Sequence, residues 1–177
     1  MAPDAMTTDL QEYWDGIGNL RCPIGLMLFE AAQYHSVADV AARSGATLVD
    51  FRDPARAIIP AGGRYVDFTP DTLFKALRNA HDSSPSRKVV VENFDLGLAR
   101  LKVADRNRLW EALVNNFPAN TNTTVVLAMP DAQTARHLLP PPELLRQWIN
   151  SKRALIVVSL RSRHALTPPI GNQAYAD

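Results

Sequence analysis

The sequence predicts an α/β fold: a parallel sheet of about five strands with helices on both faces, in three layers. Three observations lead there. The short apolar runs IGLMLF, ATLVDF, KVVVE, TVVLAM and ALIVVSL are near-continuous, the pattern of strands buried on both faces rather than on one. Helix-like segments separate them, as the crossover between two parallel strands requires. Polar residues stand where the runs end, above all in KVVVENFD from Lys88 to Asp95, and the carboxyl edge of a parallel sheet is where such folds place their chemistry.

Taken in order, Thr8 to Leu20 reads as an amphipathic helix with Leu10, Tyr13, Trp14 and Ile17 on one side, covering a sheet edge. With the linker behind it, this makes residues 1–23 an N-terminal extension of the core. Ile24 to Phe29 is the first strand, and Ser36 is placed to cap the helix SVADVAARSG, with Val37, Val40 and Ala41 facing inward and Gly45 as its stop. Ala46 to Phe51 is the second strand. The prolines and glycines of Arg52 to Gly63 predict a loop, and Arg64 to Phe68, RYVDF, alternates like a short edge strand.

Thr69 caps the next helix, with Pro70 at its first position, Asp67 and Asp71 near its positive end, and Leu73, Phe74 and Leu77 as the apolar stripe. After the valine-rich strand, a helix from about Ala104 to Phe117 buries Leu109, Trp110 and Leu113. Thr124 to Met129 is a strand ended by Pro130 and Asp131. A helix through Ala132 to Leu138 breaks at Pro140, Pro141 and Pro142, resumes from Glu143 to Asn150, and leads to the last strand, Ala154 to Leu160. The core is thus residues 24–160, and residues 161–177 form a tail with few apolar positions.

With 177 residues, 46% of them hydrophobic, the chain has material for one core. A net charge of +1 gives no field that by itself argues for nucleic acid or membrane. Cys22 is the single cysteine, so an internal disulfide is excluded, in keeping with a reducing cytoplasm. One cysteine and four scattered histidines, His35 and His81 among them, offer no zinc-ligand spacing, and no metal is expected. The polar start MAPDAMTTDLQEYWD is no signal peptide, and no apolar run approaches the ~20 residues that cross a bilayer. A soluble cytoplasmic protein without membrane contact follows as the expectation.

Strand order and strand ends together resemble the core of P-loop NTPases of the AAA-like branch, over roughly Ile24 to Leu160 and without a lid domain. In that family the first strand feeds the phosphate loop, the third ends in the Walker B acids, the fourth ends in a polar sensor, and the helix before the fifth carries an arginine. The matching features here are IGLMLF, KVVVENFD, TVVLAMPDA and LLPPPELLRQW with Arg146. The resemblance implies a nucleotide-like site at Glu30, Gln33, Tyr34, His35 and Ser36 on one side and Glu92, Asn93 and Asp95 on the other. In size and in lacking a lid, the chain is also similar to small P-loop-like proteins of bacterial BREX phage-defence operons, of the BrxF type.

Three departures from the family pattern remove chemistry. No GxxxxGK[ST] follows the first strand; instead Glu30 would repel a phosphate, and glycines and a lysine are missing. Asn93 stands where a glutamate would polarise water, and an amide takes no proton. The fourth strand ends in Ala128, Met129 and Pro130, without a sensor amide or hydroxyl. The expectation is a degenerate nucleotidase without a cofactor, its pocket filled by Gln33, Tyr34 and His35, that serves as an assembly or adaptor subunit. The alternative is a divergent ATPase holding Mg-nucleotide through Glu92 and Asp95.

Partner surfaces can also be named. Glu143, Arg146 and Trp148 follow a proline-stiffened turn, and Trp and Arg dominate many interfaces, so they are candidates for contact with a protein partner or a second copy in a homo-oligomer. The other reading puts Trp148 in the core and Arg146 in solvent. Arg100, Lys102 and Arg106 beside the third strand, with Arg161 and Arg163 in the tail, are candidates for weak DNA or RNA binding, or else a solvated face. Asp50 and Asp53 read as strand-end acids capping a turn, because no GxGxxG precedes them. Ser36, Ser44 and Ser159 lack the GxSxG turn of a hydrolase.

Overall fold

Five strands pair here into one sheet, the inner three buried on both faces, where no backbone group can be left unpaired, and the two edge strands only half-buried, unlike the five doubly buried strands the sequence predicts. The computed structural model describes residues 5–119 and 121–157. The strands are β1 (Ile24–Glu30), β2 (Thr47–Asp50), β3 (Lys88–Glu92), β4 (Thr124–Asp131) and β5 (Ala154–Val157), all parallel, in the order β2-β3-β4-β1-β5. β1 and β4 form the central pair, in register from Ile24 opposite Val125 to Glu30 opposite Asp131.

Helices cover both faces. On one lie α1 (Ala5–Gly18) and α2 (Val37–Arg43), whose Leu10, Trp14, Ile17, Val37 and Val40 pack with Met27, Phe29, Val90, Val126 and Ala128. On the other lie α3 (Arg52–Ala57), α4 (Pro70–Ser83), α5 (Phe94–Leu98), α6 (Val103–Asn116) and α7 (Pro142–Asn150), meeting the opposite side of the same strands at Leu26, Val89, Val91, Leu127 and Met129. Among the described residues no helix is long and apolar enough to cross a membrane.

Several expectations change on contact with the sheet. The first helix does not cover an edge. It lies across the middle of a face, where Gly25 lets it approach: a Cβ there would meet Ile17 Cδ1 at 2.3 Å and Tyr13 Oη at 2.7 Å. Tyr13 donates to Leu26 O (2.9 Å), and its hydroxyl also lies 3.3 Å from Arg153 O, so α1 bridges the β1–β5 pair. Glu12 and Lys152 add an exposed ion pair.

Arg52 to Gly63 is not all loop. Asp50 accepts the Arg52 amide at 3.0 Å and α3 begins there, with Pro54 in its first turn, where a missing N–H costs nothing. RYVDF is no strand; Val66 and Phe68 pack on the core from an irregular segment, and Thr72 Oγ1 donates to Asp67 O at 2.6 Å, tying that segment to the start of α4. Thr69 caps α4 as the sequence predicts, and Thr72 makes the cap reciprocal.

Between β4 and α7 the expected helix shrinks to a 3-10 turn at Arg136–Leu138, because β4 runs on to Asp131 alongside Glu30 of β1. The end of the last predicted strand, 158–160, lies outside the described residues.

Gly25→Ala is expected to lower stability by ~1–3 kcal/mol, the usual cost of overpacking. In urea the midpoint falls while the slope stays unchanged, because the same surface is exposed on unfolding.

Candidate functional site at the carboxyl edge of the sheet

The chain turns out of β1 into a 3-10 helix, Ala31–Ser36, at the position where a phosphate loop would stand. Three residues per turn place Tyr34 over the sheet and turn His35 outward. The Tyr34 ring meets Phe29 edge-on at 6.2 Å. Its hydroxyl donates to Ala128 O of β4 (3.3 Å) and accepts the Asn93 amide at the end of β3 (3.0 Å). One side chain thereby joins the ends of β1, β3 and β4.

Asn93 has a left-handed backbone, φ 61°, which asparagine tolerates better than most residues and which turns the chain from β3 into α5. β4 lies between β1 and β3, so Glu30 and Glu92 end strands about 10 Å apart across the sheet. Asp50 ends β2 beside Glu92 and is held by Arg52, with Arg136 at 3.7 Å from Asp131 further along.

The side-chain hydrogen bond from Arg52 holds the Asp50 carboxyl down to about 2. Burial pushes Glu92 up, with the Asp50 charge adding to it, and burial pushes Asp95 up as well. Burial also lifts the Tyr34 hydroxyl to about 12, against the opposing effect of the Asn93 amide. The edge is a row of carboxylates with one neutral phenol set among them. Among the described residues no three metal-ligating side chains converge.

Of the predicted site residues, the fold brings Tyr34 and Asn93 into direct contact and places Glu92 and Asp95 on either side of Asn93. Glu30 and His35 are exposed, Gln33 is half-buried, and the filling expected of three side chains is carried by Tyr34. Ser36 is buried but caps nothing: its hydroxyl donates back to Gln33 O at 2.7 Å.

Trp148 lies in the core, edge-on to Trp110 at 5.7 Å and under the Arg153 guanidinium, so it is not offered to a partner. The amphipathic period of α7 explains this, since its single buried position falls on the tryptophan. Glu143 and Arg146 are exposed.

The basic set divides too. Arg106 is buried and donates to Leu101 O at 2.7 Å, closing the turn into α6, so it is no nucleic-acid contact. Arg100 and Lys102 are exposed at the α5–α6 corner, while Arg161 and Arg163 lie outside the described residues. What the sequence did not reveal was the partner of Tyr34, because the acceptor and donor it joins come from strands 59 and 94 residues away.

No family model matches the chain, and comparison with curated proteins finds no match.

Tyr34→Phe is expected to cost ~1–3 kcal/mol at neutral pH, because it leaves the Asn93 amide without its acceptor. The tyrosine's contribution is full below pH 10, where folded and unfolded chains both hold the proton. It is lost as the pH rises toward 12, where only the folded chain still holds it. Chemical denaturation across that window should therefore show a shallower alkaline decline for Tyr34→Phe than for the wild type.

Proposed function

We propose that this chain is a non-hydrolysing, P-loop-like subunit of the AAA-like type that acts in assembly, as an adaptor binding a protein partner or further copies of itself. The observation that carries this reading is the Tyr34 bridge. Phosphoryl transfer needs free backbone donors and a cation where the triphosphate sits. Here the first strand leads into a 3-10 helix without glycine or lysine, and the Asn93 amide is already engaged by a phenol. The exposed Glu30 carboxylate adds repulsion for any polyphosphate. With the chemistry closed off, the surfaces that remain belong to recognition, among them the α7 face with Glu143 and Arg146. On this reading the protein works inside the cell within a larger complex, of which a phage-defence assembly is one example.

Thermal melting with Mg-ATP tests the closed site. A ligand at ~100 times its dissociation constant adds about 2.7 kcal/mol to stability, and the expected result here is no shift. A shift abolished by Glu92→Gln would overturn the proposal in favour of a Mg-nucleotide site through Glu92 and Asp95. Light scattering of the purified chain checks self-association, with a mass above one protomer expected and Arg146→Glu reducing it.

A further inference from the structure

The sheet is open along β5. Among the described residues no strand pairs with its outer side, since β5 meets β1 alone. In a parallel ladder alternate residues turn both backbone groups to the same side. The Arg153 carbonyl accepts the Leu26 amide at 2.9 Å, so Leu155 and Val157 face β1, whereas Ala154 and Ile156 turn their N–H and C=O outward. The side chains here are apolar too: Ile156 is 48% exposed, and Ile149, in the last turn of the α7 helix that packs on β5, is 42% exposed. From Ala154 to Leu160 the sequence carries no charge and no proline, the residues that commonly blunt such an edge. β2 at the far side of the sheet differs, because Asp50 ends it and pairs with Arg52.

We infer that β5 pairs antiparallel with β5 of a second copy, about a two-fold axis at Leu155, which rests on the self-association in the proposed function but not on its closed site. In this register the outward groups of Ala154 meet those of Ile156 in the second copy, and each such pair exchanges both of its hydrogen bonds. The side chains suit it. Ile156 lies on the same face as Ala154 and Leu28, and it meets the small Ala154 of the second copy. Leu155, on the α1 face, meets its own counterpart. A second copy fits this edge because the strand complements itself: it is uncharged, so no like charges are brought together, and both sides lack the same partners. The two-fold also closes the contact, leaving neither β5 with a free side.

The dimer then has one continuous sheet across both copies, with the two α7 helices on the same face of the seam. Because the strands of one copy run against those of the other, the two carboxyl edges point in opposite directions. Each Tyr34 bridge thus lies at its own end of the dimer, which gives an adaptor two like surfaces facing away from each other.

Light scattering of the full chain over a dilution series is the test, with a melting curve for every variant to show that it folds. Wild type should have twice the mass of the protomer at high concentration. Ile156→Lys should raise the dissociation constant on the order of tenfold or more, by placing a charge in the seam. Ile156→Pro should weaken the dimer likewise and spare the ladder to β1, because the N–H it removes faces outward. Leu155→Cys should link two copies by a disulfide on mild oxidation, since directly opposed residues without hydrogen bonds stand ~4.5 Å apart at Cα. Arg56→Cys, exposed on α3, should not link. A wild type that stays monomeric, a dimer that survives in a folded Ile156→Lys, or a dimer of Leu155→Cys that stays unlinked would overturn the inference. A surviving dimer in Ile156→Lys leaves the adaptor function standing on another surface. A melting shift with Mg-ATP in a chain whose dimer depends on Ile156 removes the closed site and keeps the β5 pairing.

Discussion

The structure depends on the pairing of β1 with β4, which puts the most apolar strands of the chain at the centre of a sheet covered on both sides. Their backbone groups are satisfied by each other and by β3 and β5, so their side chains are free to be wholly apolar. Every crossover then has to carry helices, and the helices sort by the face they cover. β1 feeds α2 on one face, whereas the later connections run over the other. The polar groups that end the strands collect at one edge because all five strands point the same way.

At that edge the chain solves a local problem with a side chain. Asn93 turns left-handed to leave β3, which detaches its amide from the ladder, and a detached amide needs an acceptor. In a phosphate-binding fold an anion could be that acceptor. Here the tyrosine hydroxyl takes the role, held by a ring packed on Phe29, and the same burial that secures it suppresses its ionisation. The closed edge and the stability of the β1–β3–β4 ends are therefore one and the same feature.

The layered α/β architecture was legible because it rests on runs of β-branched and apolar residues, a signal that survives without knowing any partner. The strands at Ile24, Lys88 and Thr124, and the helix caps at Thr69, fell where local chemistry placed them. Pro54 misled because a proline marks both a loop and the first turn of a helix, and only the Asp50–Arg52 contact distinguishes the two. RYVDF misled because alternation describes a segment with one face on a core as well as a strand. Tyr34 could be named from its place after β1, but not its bond to Asn93, and the chain from Asp82 through His81 to Thr121 joins α4 to a loop 40 residues on. In the local sequence His81 showed no partner, because the hydroxyl facing it arrives from the entry to β4.

Tyr13 reaches both Leu26 of β1 and Arg153 at the start of β5, so the docking ground for α1 is complete only once those two distant segments lie side by side. During synthesis α1 leaves the ribosome long before β5 is made. Its apolar stripe stays in water, or in a chaperone's grip, until β4 and β5 have emerged. Among the described elements α1 is accordingly made before the strands it covers and seated only after them.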